Sequence, residues 1–164
     1  MSASPRRGRR QPAQTPVRAA LKAESFLRSS VKDGLGAIEN SHRDYFDVSI
    51  RTSFADSLDV DSGLKAGHEQ ENRWDYLLGH APTGNIIGVE PHSAKEDEVS
   101  TVIRKLRSAR DQLHDHLRDG VKVSRWIWVA SGGIQFLQVG KTRFELAQAG
   151  IHFAGRRVKP KDLP

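Results

Sequence analysis

The chain of 164 residues contains no cysteine. That excludes a disulfide framework, a thiol nucleophile and any thiolate-bound metal. It is compatible with a reducing cytoplasm, which is the expected location. No apolar run approaches the roughly 20 residues that cross a bilayer, so no membrane partner is expected. The N-terminal arginines are not followed by the apolar stretch of a secretory signal, and none is expected. The chain also lacks internal repeats, a phosphate-cradling glycine loop and a nucleophile elbow.

Acidic residues are missing from residues 1–23, which carry six basic ones, among them Arg6, Arg7, Arg9 and Arg10. Residues 44–98 carry 4 basic and 12 acidic residues, whereas residues 99–164 carry 13 basic and 5 acidic. The net charge of +6 therefore equals the charge of the first segment. A Pro/Gly/Arg/Gln segment cannot bury enough apolar surface to fold. Such arms bind nucleic acid electrostatically, or serve only solubility. The composition predicts a disordered basic tail over 1–16, one α/β domain over 17–155, and a basic C-terminal tail over 156–164.

What is present is concentrated in WDYLLGHAPTGNIIGVEPHSAK, residues 74–95. Tyr76-Leu77-Leu78 and Ile86-Ile87-Gly88-Val89 are short apolar runs suited to buried strands. Between them lies Ala81-Pro82-Thr83-Gly84-Asn85, a turn composition. The segment predicts a β-hairpin. Its register decides whether a site exists, because side chains alternate faces and a slip of one residue moves a whole set. Pairing Asp75 with Glu90 or with His92 puts all three on one face; pairing it with Pro91 separates Asp75 from Glu90. The shared face is favoured, because the other then gathers Trp74, Tyr76, Leu78, Ile87 and Val89.

Ser93-Ala94-Lys95-Glu96 reads as a capping box opening a helix to about Leu117. Val99, Val102, Ile103, Leu106, Ala109, Leu113 and Leu117 form its apolar stripe. Arg104, Lys105 and Arg107 lie on or beside its polar face, where they are expected to meet phosphates.

This arrangement resembles the PD-(D/E)XK nuclease-like superfamily, on the strength of Asp75 and Glu90-Pro91-His92. The resemblance implies a mixed β-sheet flanked by helices, with a restriction-endonuclease-like α-β-β-β-α-β core. It implies magnesium on Asp75, Glu90 and the Pro91 carbonyl. His92 stands where the family has lysine, so either Lys95 from the helix start or His92 itself is expected to activate water. Glu39 is the counterpart of an acidic residue that some members carry on the first helix. Hard oxygen ligands suit magnesium. Zinc is not expected without cysteine, and His114 and His116, two apart on a helix, face different ways.

The remaining expectations are coarser. A helix is predicted over Val17–Ile38 and a strand within Tyr45–Phe54, followed over Asp56–Asn72 by a polar, acidic loop with a short irregular strand. Asp59-Val60-Asp61-Ser62-Gly63 reads as a turn and not a calcium loop. Trp126–Ala130 predicts a buried strand that turns at Gly132-Gly133 into Ile134–Leu137. Thr142–Ala149 predicts a helix stopped by Gly150, before a last strand at Ile151–Phe153. Three functions are compatible with this order: a magnesium-dependent nuclease of DNA or RNA, a catalytically degenerate relative that binds nucleic acid, and a protein-interaction subunit.

Overall fold

Short apolar runs become the central strands of one sheet. In the protein's structure, a computed structural model that describes residues 14–136 and 140–164, the strands are Lys32–Asp33 (β1), Phe54–Asp59 (β2), Tyr76–His80 (β3), Ile86–Ala94 (β4), Arg125–Ile134 (β5) and Ile151–Phe153 (β6). The α-helices are Pro16–Ala20 (α1), Val60–Leu64 (α2), Val99–His114 (α3) and Lys141–Ala149 (α4). The six strands lie in the order β1-β2-β3-β4-β5-β6. Pairing is antiparallel from β1 to β4 and parallel from β4 through β5 to β6. The parallel step needs a crossover, and α3 supplies it between β4 and β5. The fold is thus α/β, a mixed sheet flanked by helices. No helix among the described residues is long and apolar enough to cross a membrane.

Each sheet face has its own core. On one face, Val99, Val102, Leu106, Ala109 and Leu113 of α3 pack with Leu77, Trp74, Trp126, Trp128 and Ala130. Val17 and Ala20 of α1 and Leu146 of α4 join the same cluster. On the other face, Tyr76, Leu78, Ile87, Val89, Ile127 and Val129 pack under Ile38, Phe46, Ile50 and Val158. Strand β4 is covered on both sides, as its apolar run Ile86–Val89 requires.

Several expected elements form differently. The helix expected over Val17–Ile38 stops at α1, because the backbone beyond it pairs elsewhere. Lys22 N–H donates to the His116 carbonyl at 2.8 Å, and Arg118 N–H to the Ala20 carbonyl at 2.9 Å. The strand expected within Tyr45–Phe54 is instead a 3₁₀ turn over Val48–Ser53, capped by Asp47, and β2 begins only at Phe54. Asp59 accepts from Ser62 N–H and caps α2, so the acidic turn is a helix start. No capping box forms at Ser93, because β4 extends to Ala94 and α3 starts at Val99 after a 3₁₀ turn. Gly132-Gly133 does not turn the chain; β5 runs through it, and Ile134 pairs with Ala94. Residues 156–164, expected as a tail, are built into the fold. Val158 is fully buried and bridges Phe46, and Asp162 is 3% exposed. Arg6, Arg7, Arg9 and Arg10 lie outside the described residues.

Candidate functional site

The site begins with the hairpin turn. Gly84 takes φ +70°, and its N–H donates to the His80 carbonyl at 2.8 Å. Thr83 Oγ1 sits 2.9 Å from His80 Nδ1. These contacts set the pairs Gly79 with Ile86, Leu78 with Ile87, Leu77 with Gly88 and Tyr76 with Val89. One further step along this register sets Asp75 opposite Glu90. There the ladder is completed by a side chain: the Asp75 N–H donates to Glu90 Oε2 at 2.8 Å. Asp75, Glu90 and His92 therefore share a face. Trp74 does not join Tyr76, Leu78, Ile87 and Val89 on the opposite one. It packs with α3, its ring 5.1 Å from that of Trp126 and nearly perpendicular to it.

The face carrying these polar groups is the one α3 covers. Lys105 stands between the buried Val102, Leu106 and Ala109, and its side chain turns down onto the sheet. Its ammonium contacts Glu90 Oε1 and lies 3.8 Å from Asp75 Oδ1. His92 completes the group, with Nδ1 3.6 Å from Glu90 Oε1 and Nε2 2.9 Å from Glu98 Oε2. Trp128, the parallel partner of Glu90, closes the far side by donating Nε1–H to the His92 carbonyl at 3.1 Å. Glu90 has no exposed side-chain surface, against 15% for Lys105 and 23% for Asp75.

The electrostatics follow from this burial. Desolvation pushes the Asp75 carboxyl up to about 7; the neighbouring Glu90 charge adds to the rise and Lys105 opposes it. His92 is raised by Glu90 and then by Glu98, against the cost of its own burial. Glu98 is lowered chiefly by its hydrogen bond with His92.

Magnesium does not fit this donor set as it stands. Glu90 Oε2 accepts a backbone N–H, and Oε1 the Lys105 ammonium. The cation between the two carboxylates is Lys105 itself. Among the described residues, no group of three or more His, Asp or Glu side chains is placed to hold a metal ion.

The other expected residues lie elsewhere. Pro91 is buried in β4, paired with Val129, two residues past Val89, the last residue of that strand with a β3 partner. Its missing N–H is tolerated there because β3 has ended. Lys95 is exposed before the 3₁₀ turn, and its side chain forms no hydrogen bond or ion pair among the described residues. Glu39 lies on the opposite side of the sheet, where its N–H meets the Tyr76 hydroxyl at 3.4 Å. Arg104 and Arg107 are exposed on α3, whereas Lys105 belongs to the buried centre.

Sequence reasoning missed Lys105 and Glu98 as members of this centre. A signal for Lys105 existed: it lies three residues after Val102 and four before Ala109, inside the apolar stripe. A charge there must find a partner on the face that the stripe covers. No protein-family model, no curated protein and no solved structure matches this chain.

Proposed function

We propose that this chain is a nucleic-acid-associated protein on a restriction-endonuclease-like α-β-β-β-α-β core, in which the carboxylate pair has become a structural centre and the protein acts by binding. The element order supports the core: α1, the antiparallel strands β2-β3-β4, the crossover α3 and the parallel β5. The observation that carries the reading is the Lys105 ammonium set between Asp75 and the fully buried Glu90. Glu90 has no exposed side-chain surface, and the Lys105 ammonium stands where a phosphodiester would have to approach it. The hairpin pair is neutralised from within, and the chemistry left for an external anion is the basic surface of the C-terminal half, including Arg104 and Arg107. A protein partner for the acidic segment 44–98 is the competing use of the same fold.

The test is cleavage and binding of single- and double-stranded DNA and RNA, with magnesium or manganese present. Asp75→Asn and Glu90→Gln are run beside the parent, since both keep the shape of the side chain. The expected result is no cleavage by any of them, with salt-dependent binding retained. Metal-dependent cleavage by the parent, lost in both variants, would restore the hairpin as a nuclease site and overturn the reading. Absence of any nucleic-acid binding would transfer the fold to protein interaction.

A further inference from the structure

A cavity of about 620 Å³ opens between the C-terminal end of α3, the 115–124 loop and the start of β5. It lies away from Asp75 and Glu90, and none of the residues of that centre lines it. Its volume is in the range of small-ligand sites. Arg110, Arg118, Lys122 and Arg125 line it, with Asp119 the one carboxylate.

Two features make this more than a basic surface. First, two of the four cations are held in place by neutral groups. Arg118 Nε donates to the Leu21 carbonyl at 3.1 Å, and Arg125 donates one terminal N–H to the Asp162 carbonyl at 2.8 Å. A guanidinium has five N–H donors, so each keeps most of its fork for a ligand. Second, none of the four cations forms an ion pair among the described residues, whereas Arg18, Arg51, Arg73 and Lys105 all do. Gly150 borders the cavity with φ +81°, and a Cβ there would stand 3.0 Å from Arg110 Nη2. The glycine leaves room for that guanidinium. The floor is apolar, from Leu117 and Trp126.

From this geometry we infer that the cavity is a binding site for a phosphate ester, taking the phosphate on Arg110, Arg118, Lys122 and Arg125 and the less polar part of the ligand on the Leu117–Trp126 floor. Forked guanidinium donors beside a lysine suit phosphate oxygens. The inference does not rest on the carboxylate centre being inactive. A free nucleotide and the 5′ end of a nucleic acid share this chemistry.

Calorimetric titration of the full-length protein distinguishes them. The probes are inorganic phosphate, AMP, and a single-stranded 12-mer with and without a 5′-phosphate. The variants are Arg110→Glu combined with Lys122→Glu, both exposed positions, and Arg6, Arg7, Arg9 and Arg10 all changed to Gln. Saturable binding of AMP points to a nucleotide, and preference for the phosphorylated 12-mer points to a strand end. In either case the dissociation constant should rise at least tenfold in the double glutamate variant, whereas in the four-glutamine variant the affinity for AMP and the ratio between the phosphorylated and unphosphorylated 12-mers should stay within twofold. Unchanged affinity in the double glutamate variant, with its circular dichroism unaltered, or no saturable binding of any probe, would overturn the site. Cleavage plays no part in this readout, so a failure here is separate from a failure of the proposed function.

Discussion

Lys105 on α3 and Glu90 on β4 form a buried ion pair that joins the crossover helix to the sheet it covers, and Asp75 lies 3.8 Å from the same ammonium. A second bond makes the pair specific, because Glu90 also accepts the Asp75 N–H at 2.8 Å. One carboxylate thus fastens the end of β3, the middle of β4 and the middle of α3 at once. Removing a partner from a buried pair leaves an uncompensated charge, which costs about 3–5 kcal/mol.

Lys105→Met should therefore destabilise the protein by about that amount in urea unfolding. Adding Glu90→Gln to it should recover part of the loss, because the glutamine carbonyl still accepts the Asp75 N–H while the stranded charge is gone. Equal stability of the single and double variants would show that burial of the Glu90 charge is not what Lys105 offsets.

The raised Asp75 carboxyl predicts a stability profile of definite sign. In the folded protein it holds its proton up to about pH 7. An unfolded aspartate loses it near pH ~4. Between those values the folded state binds more protons, so stability falls as pH rises. His92 acts in the same direction, since its raised pKa contributes stability that is lost as pH climbs through it. Asp75→Asn should therefore give a shallower decline between pH 5 and 8 than the parent, measured by thermal or urea unfolding. The variant should gain on the parent as pH rises from ~4 to ~7 and keep that gain above it. A decline of unchanged slope would remove Asp75 as its source.

Magnesium should leave the melting temperature unchanged. A site binding the folded state a hundredfold below the magnesium concentration would add about 2.7 kcal/mol. Because Lys105 already stands between the carboxylates, no such rise is expected at millimolar magnesium. A rise that disappears in Asp75→Asn would show that the metal displaces the ammonium.

Asp56 ties α1 to the sheet from a distance. It is fully buried on β2, and its two carboxylate oxygens accept the Val17 and Arg18 N–H groups at 3.1 and 3.0 Å. These are among the N–H groups that a helix start leaves unpaired. Asp56→Ala should cost about 1–3 kcal/mol. Amide exchange should quicken first at Val17 and Arg18, and exchange that stays slow there would show that α1 is held by its apolar contacts alone.

Gly88 is required by a close approach. A Cβ at this position of β4 would lie 2.3 Å from the Trp126 ring and 3.0 Å from Trp74 Nε1. Gly88→Ala should force the two rings apart and destabilise by about 1–3 kcal/mol. The change should be visible in the near-ultraviolet circular dichroism of the tryptophans. An unaltered spectrum with parental stability would argue against the packing.

Local pattern made much of this fold legible. The apolar runs of β3, β4 and β5, the turn at 81–85, and the helix stop at Gly150 are set by neighbours within a few residues. Gly150 takes the left-handed φ of +81° that a helix stop requires. The shared face of Asp75 and Glu90 could be preferred from the alternation of side chains, which has a fixed period. The misread elements are those whose backbone bonds go to distant partners. Residues 21–22 pair with residues 116–117 and not with a continuing helix. The 3₁₀ turn at Val48–Ser53 sits against a C-terminal segment that composition alone assigns to solvent.

The sequence by itself determined an α/β chain without thiol chemistry, a two-carboxylate hairpin end, and charge divided between an acidic middle and a basic C-terminal part. These follow from residue type and short periodicity. Only the tertiary structure decided which cation meets those carboxylates. Lys95 is closer along the chain, but it is exposed at the end of β4. Lys105 is ten residues further on and is carried back over the sheet by α3, where burial leaves the ammonium and the two carboxylates no partner as near as one another.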